Sequence, residues 1–255
     1  MKKADDLSLA KTFEFAKNCY ASKQNLAGID LLVHCKRVAT QSEIISQKLY
    51  QDLRVEYVPE NINDNIAAIV HCGLLHDVLN VSSCAFENIA EIANVQIAAM
   101  VAALSRDFRL VETKRDMEFR GRLSQSAIGT QIVAVADIIC TGKDLLKSLD
   151  ELGLAVVPKS KKILAQMDGD LLAVSAANKY YTLRLYVHAA RNLLTDISQK
   201  IKACRQKAKM DKMILHNTQK LKESNAAKAL EISSKQKTKK ELRYAQKRNI
   251  RTDAD

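Results

Sequence analysis

Four polar side chains stand where the surrounding sequence is built for a core: His34, the adjacent His76 and Asp77, and Asp137. His34 lies in Leu31-Leu32-Val33-His34-Cys35, His76-Asp77 ends the apolar stretch Ala67 to Leu75, and Asp137 interrupts Ile132-Val133-Ala134-Val135-Ala136-Asp137-Ile138-Ile139-Cys140. An imidazole or carboxylate in such surroundings costs free energy unless it is paired or bound to a cation. Taken singly, each has an ordinary explanation. His34 reads as a core histidine with one hydrogen-bond partner, and Asp137 as a cap or an ion pair. Taken together, two imidazoles and two carboxylates from three helices supply four nitrogen and oxygen ligands for one divalent metal, with room left for water and a substrate. That is the equipment of a hydrolytic metal site.

The elements that would carry these residues are helical. Seven Gly, two Pro and 5% aromatics in 255 residues, with Ala, Leu, Ile and Lys abundant, favour an all-α fold. Leu9, Phe13, Ala16 and Tyr20 recur by three and four, which predicts an amphipathic first helix, and Gly28 marks its end. A second helix begins near Asp30 and carries His34. After a proline- and asparagine-bearing loop from Tyr57 to Asp64, a third carries His76 and Asp77. On that helix Asn80 follows Asp77 by three and can reach the same point. His71 falls about 140° away from His76 and is read as structural. Short helices are expected over Ala85 to Ile92 and Val95 to Leu104. A polar segment from Ser105 to Arg122 follows, holding Lys114, Arg115, Arg120 and Arg122. It is a solvated face or, beside a metal, a clamp for an anionic substrate. Ser124 is the expected cap of the Asp137 helix, and Gly169-Asp170 the expected start of a long final one.

Charge divides the chain. Residues 1–196 hold 23 Lys and Arg against 23 Asp and Glu, whereas 197–255 hold 17 against 6, so the net +11 lies in the tail. The expected organisation is a helical domain over 1–196 and a basic tail over 197–255. The tail is a solvated helix, a disordered arm, or a contact for nucleic acid, ribosome or anionic membrane. No apolar run is long enough to span a bilayer, and Met1-Lys2-Lys3 leads into Ala4-Asp5-Asp6 rather than an apolar stretch. The six cysteines lack metal spacing, so reduced thiols in a cytoplasmic protein are expected.

The order His34, His76-Asp77, Asp137 resembles that of HD-domain metal phosphohydrolases. Further blocks, His34-Cys35-Lys36-Arg37-Val38-Ala39, Gly73-Leu74-Leu75-His76-Asp77, Phe86-Glu87-Asn88-Ile89, Met100 to Asp107 and Ala134-Val135-Ala136-Asp137, resemble the hydrolase domain of RelA/SpoT homologues over about residues 9 to 195. That resemblance implies an HD-domain helical bundle and one divalent ion, commonly Mn2+. It also implies water-mediated cleavage of a nucleotide such as (p)ppGpp or a related phosphate ester. The sequence departs from that pattern where the family carries Glu-Asp two residues beyond the pair: here stand Asn80 and Val81. An amide cannot take a proton as a base, so Asn80 is expected to orient water or substrate. Asn25-Leu26 falls where the family has Arg-Lys, Thr141 where it has Asn, and an insertion around Gln51 to Asn61 lengthens the interval between the histidines. A second reading is therefore an HD domain without turnover, a nucleotide sensor or scaffold whose tail binds nucleic acid.

Overall fold

The structure, a computed structural model, describes residues 8–25, 27–53, 62–177 and 180–252. Of the loop foreseen at Tyr57 to Asp64, the part up to Asn61 lies outside these residues, as does most of the insertion, and Ile62 to Asp64 are already helical. The described elements are helices, and their contacts divide the chain into one unit over Met1–Cys204 and another over Arg205–Asp255.

In the first unit the helices are α1 (Leu9–Tyr20), α2 (Leu31–Asp52), α3 (Ile62–Leu75), the single turn α4 (Val78–Val81), α5 (Phe86–Ile92), α6 (Val95–Leu104), α7 (Glu112–Gln125), α8 (Ile128–Leu152) and α9 (Val157–Ala177). The last helix, α10 (Tyr181–Thr252), begins in this unit and continues through the second. Helix α8 is the centre. From Ile132 to Ala136 every residue is buried, the signature of a helix enclosed by others. Helices α2 and α3 pack on it and on each other, α6 packs on α3 and α8, and α7 packs on α9.

Local chemistry explains the helix that carries His34. Asp30 caps α2, its carboxylate accepting from the Val33 N–H at 3.0 Å. Beyond the cap, Cys35, Val38, Ser42, Ile45 and Leu49 recur by three and four and are all buried, so one stripe of α2 faces the core. Where this stripe meets α3, Gly73 allows close approach: a Cβ there would lie 2.8 Å from the Ala39 Cα.

Three sequence expectations change. His76 and Asp77 are a turn between α3 and α4 rather than residues of one continuous helix. Ser124 lies inside α7, where its hydroxyl donates to the Gly121 carbonyl at 2.9 Å, and α8 begins after Ala127 without a side-chain cap. Gly169-Asp170 is the middle of α9, not the start of a helix. The Arg120 guanidinium lies where a Cβ of residue 169 would be, so the glycine gives that side chain room to reach Asp170.

Among the described residues, no helix is long and apolar enough to cross a membrane.

Candidate metal centre

His34 from α2, His76 from the α3–α4 turn and Asp137 from α8 present ligand atoms that all lie within 4.8 Å of one another. His34 Nε2 is 3.0 Å and His76 Nε2 3.7 Å from Asp137 Oδ1, and Asp77 Oδ2 is also 3.7 Å from His76 Nε2. All four residues line one cavity, with Asn80 and Thr141 beside them.

The histidines are aimed by their other nitrogens. His76 Nδ1 lies 2.8 Å from the Gly73 carbonyl, which can only accept, so this nitrogen donates and Nε2 is the one left to face the cluster. That Nε2 is buried and has no hydrogen-bond partner. A buried polar atom left unpaired is costly, and here it faces two carboxylates and a second imidazole. The donor set and the orphaned nitrogen fit a divalent cation. His34 is aimed by a residue that the sequence reading passed over: its Nδ1 donates to Asp144 Oδ2 at 3.2 Å. Asp144 is in turn held by both terminal nitrogens of Arg37, at 2.6 and 2.7 Å, and by the Asn25 amide at 2.8 Å. A carboxylate behind a ligating histidine fixes the ring and strengthens it as a donor. The signal was present in the spacing, since 137, 141 and 144 share one face of α8 and Arg37 follows His34 by three on α2.

Electrostatics in the metal-free protein express the same crowding of acids on imidazoles. Burial lowers the proton affinity of His34, but its hydrogen bonds to the Asp137 and Asp144 carboxylates outweigh it and hold the ring at about 9. His76 is likewise held at about 10, burial being overcome by Cys35 and Asp77 beside it. Burial would raise the Asp137 carboxyl, yet the bond to His34 and the nearby His76 charge bring it down to about 2.

Asn80 bridges two elements. Its amide nitrogen donates to Asp77 Oδ1 at 2.9 Å, and its oxygen accepts from the Arg106 N–H at 3.0 Å. The residue therefore fixes Asp77 and ties the end of α6 to the site. His71 points elsewhere, its Nδ1 2.9 Å from the Thr12 hydroxyl.

The basic residues foreseen as a phosphate clamp are not in the cavity wall. Arg120 pairs with Asp170 at 3.2 Å, Arg122 donates to the Ser105 carbonyl, and Arg115 stacks on Phe108 with its Cζ 5.0 Å from the ring centre. Lys114 is likewise absent from the wall. Their segment is helix α7, tied down by the buried Phe119 and Leu123, and Arg120 and Arg115 meet the cavity only through the wall residues Asp170 and Phe108. The arginine in the wall is Arg106, outside the foreseen set. It pairs with Asp116 at 2.7 Å and with Asp170, and lies over the Phe119 ring at 3.9 Å.

The described helices form an all-α bundle with a His/His/Asp cluster in one of its cavities. Among solved structures, the chain is similar to a metazoan SpoT orthologue that hydrolyses ppGpp and plays a role in starvation responses. The TM-score is 0.51 and the identity 15%, and the match covers 72% of this chain and 95% of that one. No protein-family model matches the chain. No curated protein matches it by sequence.

Proposed function

We propose that this protein is a metal-dependent phosphohydrolase of HD type, acting on a nucleotide or a related phosphate ester. The observation that carries the reading is His76 Nε2, a buried ring nitrogen without a hydrogen-bond partner, turned toward Asp77, Asp137 and His34. His34, His76, Asp77 and Asp137 would hold one divalent ion, and the resemblance makes Mn2+ the ion to try first. When bound, such an ion lowers the pKa of water and neutralises charge on phosphate. The chain's own residues do the positioning. Asp144 orients His34, Gly73 orients His76, and Asn80 holds Asp77 while its bond to Arg106 fixes the adjoining wall. The likeness to a ppGpp hydrolase supports phosphate-ester chemistry on this fold and puts ppGpp in the assay panel. The six cysteines, free thiols in this structure, accord with a cytoplasmic protein.

The test is metal content followed by turnover. Wild-type protein is expected to bind one Mn2+ per chain, and His76→Ala and Asp77→Ala to bind none tightly. Phosphate or pyrophosphate release is then followed over a panel of nucleotides and simple esters. Bound metal without turnover on any of them would reject the enzyme and leave the site.

That outcome is the second reading, a metal-holding domain that senses a nucleotide or serves as a scaffold. What favours it is Asn80. Its amide is engaged at both ends and has no basic atom to take a proton from water, and Val81 beside it offers none.

A further inference from the structure

The cavity that holds the His/His/Asp cluster encloses about 230 Å3, below the roughly 300–1,000 Å3 of pockets that take drug-sized ligands. With His34 and His76 neutral as metal ligands, its charged wall residues are Asp77, Asp137 and Asp170 against Arg106, among the described residues. Arg106 is already matched, pairing with Asp116 and Asp170 and packing flat on Phe119. The Gln166 amide, turned with its oxygen to the guanidinium, accepts from Arg106 Nη2 at 3.0 Å and Nε at 2.9 Å. Almost no donor of this arginine remains for a ligand. A divalent ion at the cluster would offset Asp77 and Asp137 and leave no surplus of positive charge in the wall. The basic residues nearby are already engaged: Arg37 by Asp144, Arg120 by the wall residue Asp170, and Lys23 by the carbonyls of Cys19 and Val81.

Gln24, Asn25, Asn80, Thr141 and Gln166 add uncharged polar groups, and one side of the wall is apolar. Leu104 of α6, Phe108, Phe119 and Leu123 of α7, and Ile163 and Met167 of α9 line it, with Phe108 in the connection before α7. Each phosphate charge brought into such a space without a partner costs several kcal/mol. An apolar group of the ligand gains about 25 cal/mol per Å2 removed from water.

Building on the phosphohydrolase reading, we propose that the cavity takes a small ester carrying a single phosphoryl group, with an apolar moiety against the Leu104, Phe108, Phe119 and Met167 side. A polyphosphorylated nucleotide is the ligand this wall disfavours. Hydrolysis of such an ester consumes one water: its oxygen forms the new bond to phosphorus, the ester P–O bond breaks, and the leaving oxygen takes a proton. The products are an alcohol and inorganic phosphate.

Binding decides this inference and turnover decides the reading beneath it. Calorimetry on the full-length, Mn2+-loaded protein would compare 1-naphthylmethylphosphonate, a non-hydrolysable apolar ligand, with ppGpp. The phosphonate is expected to bind at least tenfold more tightly, and tighter binding of ppGpp overturns the proposal. Phe108 is 61% exposed, so Phe108→Ala is expected to fold normally. It is expected to weaken the phosphonate severalfold and to leave methylphosphonate unchanged. Equal effects on the two ligands, or no effect on either, overturn the apolar contact and the proposal with it. Hydrolysis is measured separately with 1-naphthyl phosphate, glycerol 2-phosphate and ppGpp. Absence of release from all three, with phosphonate binding intact, rejects the hydrolase reading and leaves the ligand class standing.

Discussion

Asp144 does not line the cavity, yet it fixes one of the ligands that does. Its carboxylate accepts from His34 Nδ1 and leaves Nε2 facing Asp137. Removing it is expected to lower Mn2+ affinity about 10–100-fold without removing a ligand. Asp144→Asn is expected to lose less than Asp144→Ala, because an amide oxygen can still accept from Nδ1. Calorimetric titration with Mn2+ measures this, circular dichroism verifies the fold, and an unchanged affinity in Asp144→Ala would refute the role. Protons compete for the same site. In the metal-free protein His34 and His76 hold protons up to about 9 and about 10, against an ordinary value near 6.5. Their contribution to stability is therefore complete below about pH 6.5 and is lost as pH rises through those values. Metal loading is expected to release protons at neutral pH and to tighten as pH climbs toward 10. At this scale the sequence was most legible where polarity broke an apolar run, as at His34, His76 and Asp137, which the fold brings together. Asp144 was less legible because Gly142-Lys143-Asp144 resembles a solvated stretch, and only its register with Asp137 and Thr141 betrays it. Arg106 was submerged in a run of charges whose partners lie on distant parts of the chain.

The elements were legible where one face repeats and obscure where charge or glycine hides the repeat. Helix α2 announces itself through its buried stripe and Asp30 cap. Helix α7 does not, because its basic and acidic side chains outnumber the two buried residues, Phe119 and Leu123, that tie it down. Gly169 resembles a helix boundary in the sequence, but tertiary packing gave it another reason to be glycine. This contrast predicts opposite behaviour for two Gly→Ala changes inside helices, each of which gains about 1 kcal/mol from helix propensity. At Gly73 the new Cβ meets backbone, the Ala39 Cα at 2.8 Å and its N at 3.1 Å, which cannot step aside without parting α2 from α3. Overpacking of this kind costs about 1–3 kcal/mol, so Gly73→Ala is expected to destabilise. It also displaces the carbonyl that aims His76, so Mn2+ affinity should fall with it. At Gly169 the obstacle is the far end of the Arg120 side chain, which can swing away from Asp170. Gly169→Ala is expected to leave stability within about 1 kcal/mol of wild type, because the propensity gain offsets a partly exposed ion pair. Urea unfolding of both variants measures the difference, and a Gly73→Ala protein as stable as wild type would contradict the account of the α2–α3 contact.

Across the whole molecule, charge and core are separated along the chain. The unit over Met1–Cys204 contains the described core, which extends along α10 to Ile197 and Ile201, and it contains the candidate metal centre. The unit over Arg205–Asp255 is helical through Thr252, and its described side chains are exposed apart from the half-buried Ala208. The whole net +11 resides in residues 197–255, with 17 Lys and Arg against 6 Asp and Glu. We therefore propose that affinity for nucleic acid, where it is found, belongs to the tail and catalysis to the body. Binding to a duplex of random sequence would be measured by fluorescence anisotropy over a salt series. Engagement of about five tail cations predicts a slope of log K against log salt of about −4.5. Truncation after Cys204 removes no residue of the buried core, so the shortened protein is expected to keep its Mn2+ affinity and melting temperature while losing the duplex. A truncated protein that still binds duplex with the same salt slope would move the contact to the body, where basic and acidic residues balance. Loss of Mn2+ binding on truncation would instead make the tail part of what holds the metal site together.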